Sequence, residues 1–224
     1  MIFNREVVAL VPMKEHSERV PGKNTRLFSG KPLFHHIIGT LEATYAIDKV
    51  VVDTDSEIIA EEAKSLFPKV QVIERPQELR GDLVSMNKLI AYDISHVASD
   101  IYLQTHTTNP LLRSKTISDA LRAFARSEEY DSLFTVNRVQ TRLYTADGAP
   151  INHNPNELIR TQDLPPVYEE NSCLYIFTSE SFSKHQRRIG SKPLMYETDR
   201  IESIDIDDEY TFRLAEMLAG YAHK

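Results

Sequence analysis

A single cysteine among 224 residues, Cys173, excludes an intrachain disulfide. It lies in Asn171-Ser172-Cys173-Leu174-Tyr175-Ile176, where it reads as a small strand residue and not as a nucleophile. No apolar run approaches the ~18 residues needed to cross a bilayer. The opening Met-Ile-Phe-Asn-Arg-Glu lacks the charged start and apolar stretch of a signal peptide. The expectation is a cytoplasmic protein with no membrane partner. Cations are also in short supply, 26 Lys and Arg against 33 Asp and Glu. The resulting formal charge of −7 argues against a general nucleic-acid surface. Basic residues that do cluster therefore mark a site. Internal repeats, low-complexity tracts and a strand-to-helix elbow carrying Ser or Cys are absent as well, and the last absence disfavours a nucleophilic enzyme. The length suits one α/β domain, and residues 1–224 are read as such.

What is present centres on Val7–Lys31. Val7-Val8-Ala9-Leu10-Val11 is the unbroken apolar run of a strand buried on both faces, and Pro12 is expected to end its ladder. The next residues supply Lys14, Ser17, Arg19, Gly22, Lys23 and Asn24: cations, a hydroxyl, an amide and one backbone position free of Cβ. That set suits a polyanion, triphosphate foremost. It is not a Walker A loop, because Asn24 stands where Ser or Thr holds magnesium and Ser17 where the first Gly belongs. On composition alone, an ordinary solvated connection fits equally well.

The rest of the chain alternates strand and helix. Pro32 is placed at the first position of a helix running to Leu41; strands are expected at Lys49–Asp53 and Val70–Ile73, with Ser56 capping a helix over Glu57–Leu66. Arg75-Pro76 leads through Asp82 and Ser85 to a helix over Met86–Val97. Asp100–Gln104 forms a strand whose polar sequel, Thr105–Arg113, lies where open α/β sheets bind ligands. A helix from Ser114 to about Glu129 and strands at Ser132–Val136, Asn171–Thr178 and Ile201–Ile206 complete the pattern. Right-handed crossovers make this a three-layer α/β/α fold with a mostly parallel sheet. The adjacent His35 and His36 point in different directions on their helix, which argues against a metal pair. Residues 140–170 lack regular pattern from Gln140 to Pro166, as a lid or interface does. In Ile204-Asp205-Ile206-Asp207, strand alternation puts both carboxylates on one side. The pair suits a hard cation, or equally a strand-end turn or helix cap. From Asp208 an amphipathic helix is expected to run to the C-terminus.

Val11-Pro12-x-x-x-x-Ser17-x-Arg19-x-Pro21-Gly22-Lys23-Asn24, followed by Gly30-Lys31-Pro32-Leu33, resembles the N-terminal signature of the acylneuraminate cytidylyltransferases, relatives of the CMP-Kdo synthetases. The resemblance covers nearly the whole chain. It implies a Rossmann-like nucleotide-diphospho-sugar transferase fold, CMP transfer from CTP to a 2-keto-3-deoxy sugar acid with pyrophosphate release, magnesium as cofactor, and a homodimer formed through a hairpin near residues 140–170. Residue by residue, it makes Lys14, Ser17, Arg19, Lys23 and Asn24 nucleotide contacts, with Arg75 and Ser85 in support. It makes Asp205 and Asp207 the magnesium ligands, and Lys14 and Lys23 catalytic with them. Gln104 or His106 takes the place of a glutamine facing the sugar acid, and ungapped alignment favours His106. Candidates for the acceptor carboxylate are Arg113, Arg138, Arg142, Arg160 and Asn171.

Three departures bear on function. Lys14 replaces an Arg and loses its bidentate fork, Glu18 replaces a cation, and Glu15-His16 replaces Gly-Gly. A nucleotidyltransferase for another acceptor or base, or a catalytically weak nucleotide-binding relative, stays open on these grounds.

Overall fold

The computed structural model describes residues 4–222. In chain order its elements are β1 (Val7–Met13), β2 (Leu27–Phe28), β3 (Lys31–Pro32), α1 (Leu33–Glu42), β4 (Lys49–Thr54), α2 (Glu57–Leu66), β5 (Val70–Glu74), α3 (Met86–His96) and β6 (Ile101–Gln104), then α4 (Ser114–Ala125), β7 (Ser132–Val139), β8 (Val167–Thr178), α5 (Ser179–His185), β9 (Pro193–Glu197) and α6 (Glu209–Ala222). The expected C-terminal helix is α6, and positions 223 and 224 lie outside the described residues.

Seven strands form one sheet in the order β5-β4-β1-β6-β8-β7-β9, and a separate two-stranded ribbon joins β2 to β3. Neighbours are parallel except at β8, which runs antiparallel to both β6 and β7. The apolar run of β1 explains its central place. Val7, Ala9, Val11 and Met13 pack with Phe34, Ile37 and Ile38 of α1, Ile59 of α2 and Leu121 of α4. Val8 and Leu10 point the other way, toward Ile90 of α3 and Phe182 of α5. A strand needs apolar residues at every position only when helices cover both faces, so the three-layer arrangement follows from that run. A third cluster, containing Val20, Phe28, Leu33, Ile206 and Phe212, seats α6 against the loop that follows β1. Among the described residues, no helix is long and apolar enough to cross a membrane.

Several expectations need correction. Pro12 does not end β1 but pairs with Asp53 inside it. The β6 pairing stops at Leu10, so a residue without an N–H sits where β1 has a strand on one side only. Pro32 precedes the first turn of α1, as the last residue of β3. Ser56 is at the N-cap of α2 but makes no side-chain capping bond; its N–H donates to Thr54 Oγ1 instead. Helix α4 ends at Ala125, β7 reaches Val139 and β8 begins at Val167. Residues Ile201–Ile206 are no strand, because their polar backbone is taken by turns and by a loop. Ser203 N bonds Asp199 O at 3.1 Å and Ile206 N bonds Thr108 O at 2.8 Å. Elements α5 and β9 carry no clear periodicity and escape a sequence reading.

The core also encloses charge. Asp53 on β4 is fully buried and accepts from Arg75 Nε at 3.0 Å, while Asp93 on α3 is fully buried with both carboxylate oxygens unpartnered. Burial, and secondarily the charge of Asp53, pushes the Asp93 carboxyl from 3.8 up to about 8 against the pull of Arg75. The folded chain therefore keeps this proton between about pH 4 and 8, where the unfolded chain has lost it. Stability falls as pH rises through that window, by up to about 1.4 kcal/mol per pH unit. Asp93→Asn is expected to abolish this contribution, so that urea titrations from pH 5 to 8 give a flatter stability profile than wild type; parallel profiles would show that Asp93 is ionised in the fold.

Candidate active site

The loop after β1 turns at Gly22, whose φ of +61° suits a residue without a Cβ. Gly22 O accepts from Arg26 N at 2.9 Å, and Lys23 N donates to Val20 O at 3.1 Å. Asn24 braces the loop from within: its Nδ2 donates to Lys14 O at 2.8 Å and its Oδ1 accepts from Thr107 Oγ1 at 2.6 Å. Both ends of the amide are thus engaged in positioning, and the group is 7% exposed. Lys14, Ser17, Arg19 and Lys23 are left facing a cavity of about 410 Å³. Its other walls include Pro12 and Met13, Glu18 and Asn24, Arg75, residues from the 81–89 segment such as Asp82 and Met86, and His106–Thr108. These segments follow the C-terminal ends of the parallel strands β1, β5 and β6, the usual ligand position in an open α/β sheet.

The Asp205-Ile206-Asp207 segment lies beside this cavity, outside its lining, and is not a strand. Glu202, buried at its base, accepts from Arg113 N at 2.9 Å. Asn109 Nδ2 donates to Ile204 O at 3.3 Å, and Ile206 drops into the third core cluster. Lys23 Nζ donates to Ile206 O at 2.8 Å and Arg19 pairs with Asp207 at 2.7 Å, so two cations of the cavity lining hold this segment. The alternation expected of a strand survives in an irregular segment, because Ile204 and Ile206 have an apolar cluster to enter. Burial pushes the Asp205 carboxyl up, with a hydrogen bond to Thr108 opposing it, and burial pushes the Lys23 amine down, with Asp205 and Asp207 opposing. Asp205 Oδ1 is buried with no hydrogen-bond partner. A buried, unpartnered carboxylate oxygen beside a second carboxylate is a donor pair that fits a hard cation, which completes its shell with phosphate oxygens and water. No cluster of three or more potential ligands exists among the described residues, His35 and His36 included.

The remaining expected residues divide clearly. Arg75 lines the cavity but is 4% exposed and clamped to Asp53 through both Nε and Nη2. Ser85 precedes α3, exposed and outside the cavity lining, and makes no capping bond. Lys14 is paired with Asp82, and Glu18 lies beside them. His106 lines the cavity, whereas Gln104 is fully buried behind it. Asn171 is buried and braces the sheet, donating to Asn137 Oδ1 at 2.9 Å and Thr198 Oγ1 at 2.6 Å. Arg142 bonds Ile159 O in the irregular arm, away from the cavity. Arg113 and Arg160 are paired with Glu202 and Asp163, and Arg138 is exposed outside the cavity lining. Cys173 is fully buried in β8, its thiol pushed up by burial, as expected of a packing residue. Sequence reading missed Arg188, which folds under the cavity from the turn after α5 and donates to Gln104 Oε1 at 2.6 Å. Only the fold brings it there.

Known proteins resemble this arrangement. The chain is 25% identical to an N-acylneuraminate cytidylyltransferase of Streptococcus agalactiae over 96% of its own length, and it spans about half (54%) of that enzyme. It is 27% identical to a CMP-N,N'-diacetyllegionaminic acid synthase of Legionella pneumophila, with 95% of each chain covered. Among solved structures, a CMP:2-keto-3-deoxy-manno-octonic acid synthetase complexed with CTP superposes with a TM-score of 0.72 at 14% identity, covering 97% of this chain and 99% of the other. A 4-diphosphocytidyl-2C-methyl-D-erythritol synthase from Anaerococcus prevotii gives 0.69 at 10% identity, over 98% and 97%. These two likenesses concern the fold. A cytidylyltransferase family model matches residues 8–221, and the chain belongs to that family.

Proposed function

We propose that this chain transfers CMP from CTP to a 2-keto-3-deoxy sugar acid of the nonulosonic class, releasing pyrophosphate. The observation that carries the reading is the meeting of Lys23 and Arg19, two cations of the cavity lining, with the Asp205–Asp207 segment beside that cavity. The names of the Streptococcus and Legionella relatives support the acceptor class. In the reaction the acceptor's anomeric hydroxyl oxygen bonds to the α-phosphorus. The bond from that phosphorus to the β-bridging oxygen breaks, pyrophosphate leaves with the electron pair, and the hydroxyl proton passes to solvent.

Lys14, Ser17, Arg19 and Lys23 bind the triphosphate, and Asp82 and Asp207 hold two of these cations in place until phosphate takes over their charge. Arg75, locked by Asp53, is a fixed positive wall of the cavity, better suited to orientation than to movement. Magnesium, held by Asp205 and Asp207, supplies neutralisation of phosphate charge and polarisation of the α-phosphate when bound. The acceptor sits toward His106. We also read the arm from 140 to 170 as a homodimer contact, because it leaves Tyr144, Ile151 and Leu158 exposed, Leu158 at 93%. The reaction belongs to the cytoplasm, where CTP is made.

Pyrophosphate release with CTP, magnesium and a panel of nonulosonic and shorter 2-keto sugar acids is expected for at least one nonulosonic acid, with kcat/KM higher for CTP than for UTP, GTP or ATP. No release with any acid overturns the reading. Asp205→Asn and Asp207→Asn should each lower kcat by roughly 10²–10³-fold while leaving thermal unfolding near wild type; full activity in both excludes them as metal ligands. Sedimentation at micromolar concentration should give a dimer, and Leu158→Asp should shift it toward monomer. A wild-type monomer would turn the arm into a lid.

A further inference from the structure

Arg188, Gln104 and His106 form a chain of hydrogen bonds whose direction is dictated by donor and acceptor chemistry. A guanidinium has only N–H donors, so the atom of Gln104 that meets Arg188 Nη1 at 2.6 Å must be the amide oxygen. The amide nitrogen then faces Thr105 O at 3.0 Å and His106 Nε2 at 3.0 Å. A carbonyl accepts one of its two hydrogens, and the other is aimed at His106 Nε2, which can only accept it. An imidazole whose Nε2 accepts is neutral and carries its proton on Nδ1. Protonation would set Nε2–H against the amide N–H.

Arg188 cannot easily turn away. Its guanidinium carbon lies 3.5 Å from the centre of the Tyr175 ring, and its backbone N donates to Asn87 Oδ1 at 3.4 Å. Tyr175 OH is itself held by Glu170 and Ser172. Burial, together with the charges of Arg188 and Lys23, lowers His106 from 6.5 to about 3, which agrees with the hydrogen-bond directions. His106 lines the cavity, and its Nδ1 has no hydrogen-bond partner among the described residues.

We propose that Arg188 is a positioning residue which, through Gln104, fixes His106 as a neutral Nδ1–H donor toward the acceptor, so that His106 binds an acceptor oxygen and does not serve as a base. The anionic carboxylate of a sugar acid suits such a donor, with the Lys23 cation nearby. Naming the acceptor rests on the function proposed above; the tautomer does not.

The test is nitrogen NMR of ¹⁵N-histidine protein, with the His106 signal assigned by its loss in His106→Gln. In the free wild type, His106 is expected in the Nδ1–H form with no protonation from pH 8 to 5. Arg188→Met frees the Gln104 amide to invert, so an Nε2–H population should appear, and the acceptor KM should rise about 10-fold while the CTP KM stays within about twofold. Arg188→Lys, which keeps a donor-only cation, should restore the Nδ1–H form. Gln104→Glu, an acceptor-only replacement, should force Nε2–H even if Arg188→Met fails to fold. A wild-type His106 that is Nε2–H or takes up a proton above pH 5 overturns the proposal, as does an unchanged tautomer in Gln104→Glu. Inactivity of the wild type with every acid would sink the function reading and leave the tautomer result standing.

Discussion

The site depends on a lysine that is held, half-buried, by the main chain of a segment 183 residues away. Lys23 donates to Ile206 O, and this contact sets how far the basic loop after β1 stands from Asp205 and Asp207. Arg19 closes on Asp207 at 2.7 Å, and the two segments would slide against one another if either were free to move. Neither is. The loop is pinned by the two-sided bond of Asn24, and the acidic segment is pinned by Ile206 in an apolar cluster and by Glu202 against Arg113. Lys14 and Arg19 are each matched by a carboxylate, Asp82 and Asp207, that a phosphate can replace, and Lys23 by a main-chain carbonyl.

A second layer of buried polar groups keeps the cavity floor rigid. Arg75 is clamped by Asp53, and breaking such a pair from one side leaves an uncompensated charge in the interior. Arg188 is stacked on Tyr175 and bonded to Gln104. Neither guanidinium is free to follow a ligand. Of the cations that line the cavity, Lys14, Arg19 and Lys23 come from the loop after β1, whereas the clamped Arg75 comes from the end of β5.

The departures of this chain from its relatives' loop acquire a physical meaning in this frame. Glu18 lies at the cavity with Asp82, so the balance of charge on that wall is less positive than a loop with a cation at position 18 would make it. Lys14 keeps a point charge and is satisfied by a single carboxylate, as a lysine can be and an arginine fork need not be.

The apolar β-branched runs and the strand and helix alternation determined the three layers and the burial of β1 on both faces, and the cation-rich loop was legible as a cluster of charge, because both are specified by contiguous residues. The common side taken by Asp205 and Asp207 was legible for the same reason: their alternation with two isoleucines orients them even without a strand. Tertiary structure alone decided the rest. Asn171 was marked as a substrate contact and is a sheet brace, since only the fold brings Asn137 and Thr198 within reach of its amide. Arg142 was one candidate for the acceptor carboxylate, and its guanidinium bonds Ile159 O, outside the cavity lining. Arg188 sits in a stretch without periodicity or motif, and its position under His106 arises from β8 and the α5 turn packing against β6. Local pattern records which way a side chain faces along its own element; which distant side chain it meets there is set by the packing of the whole sheet.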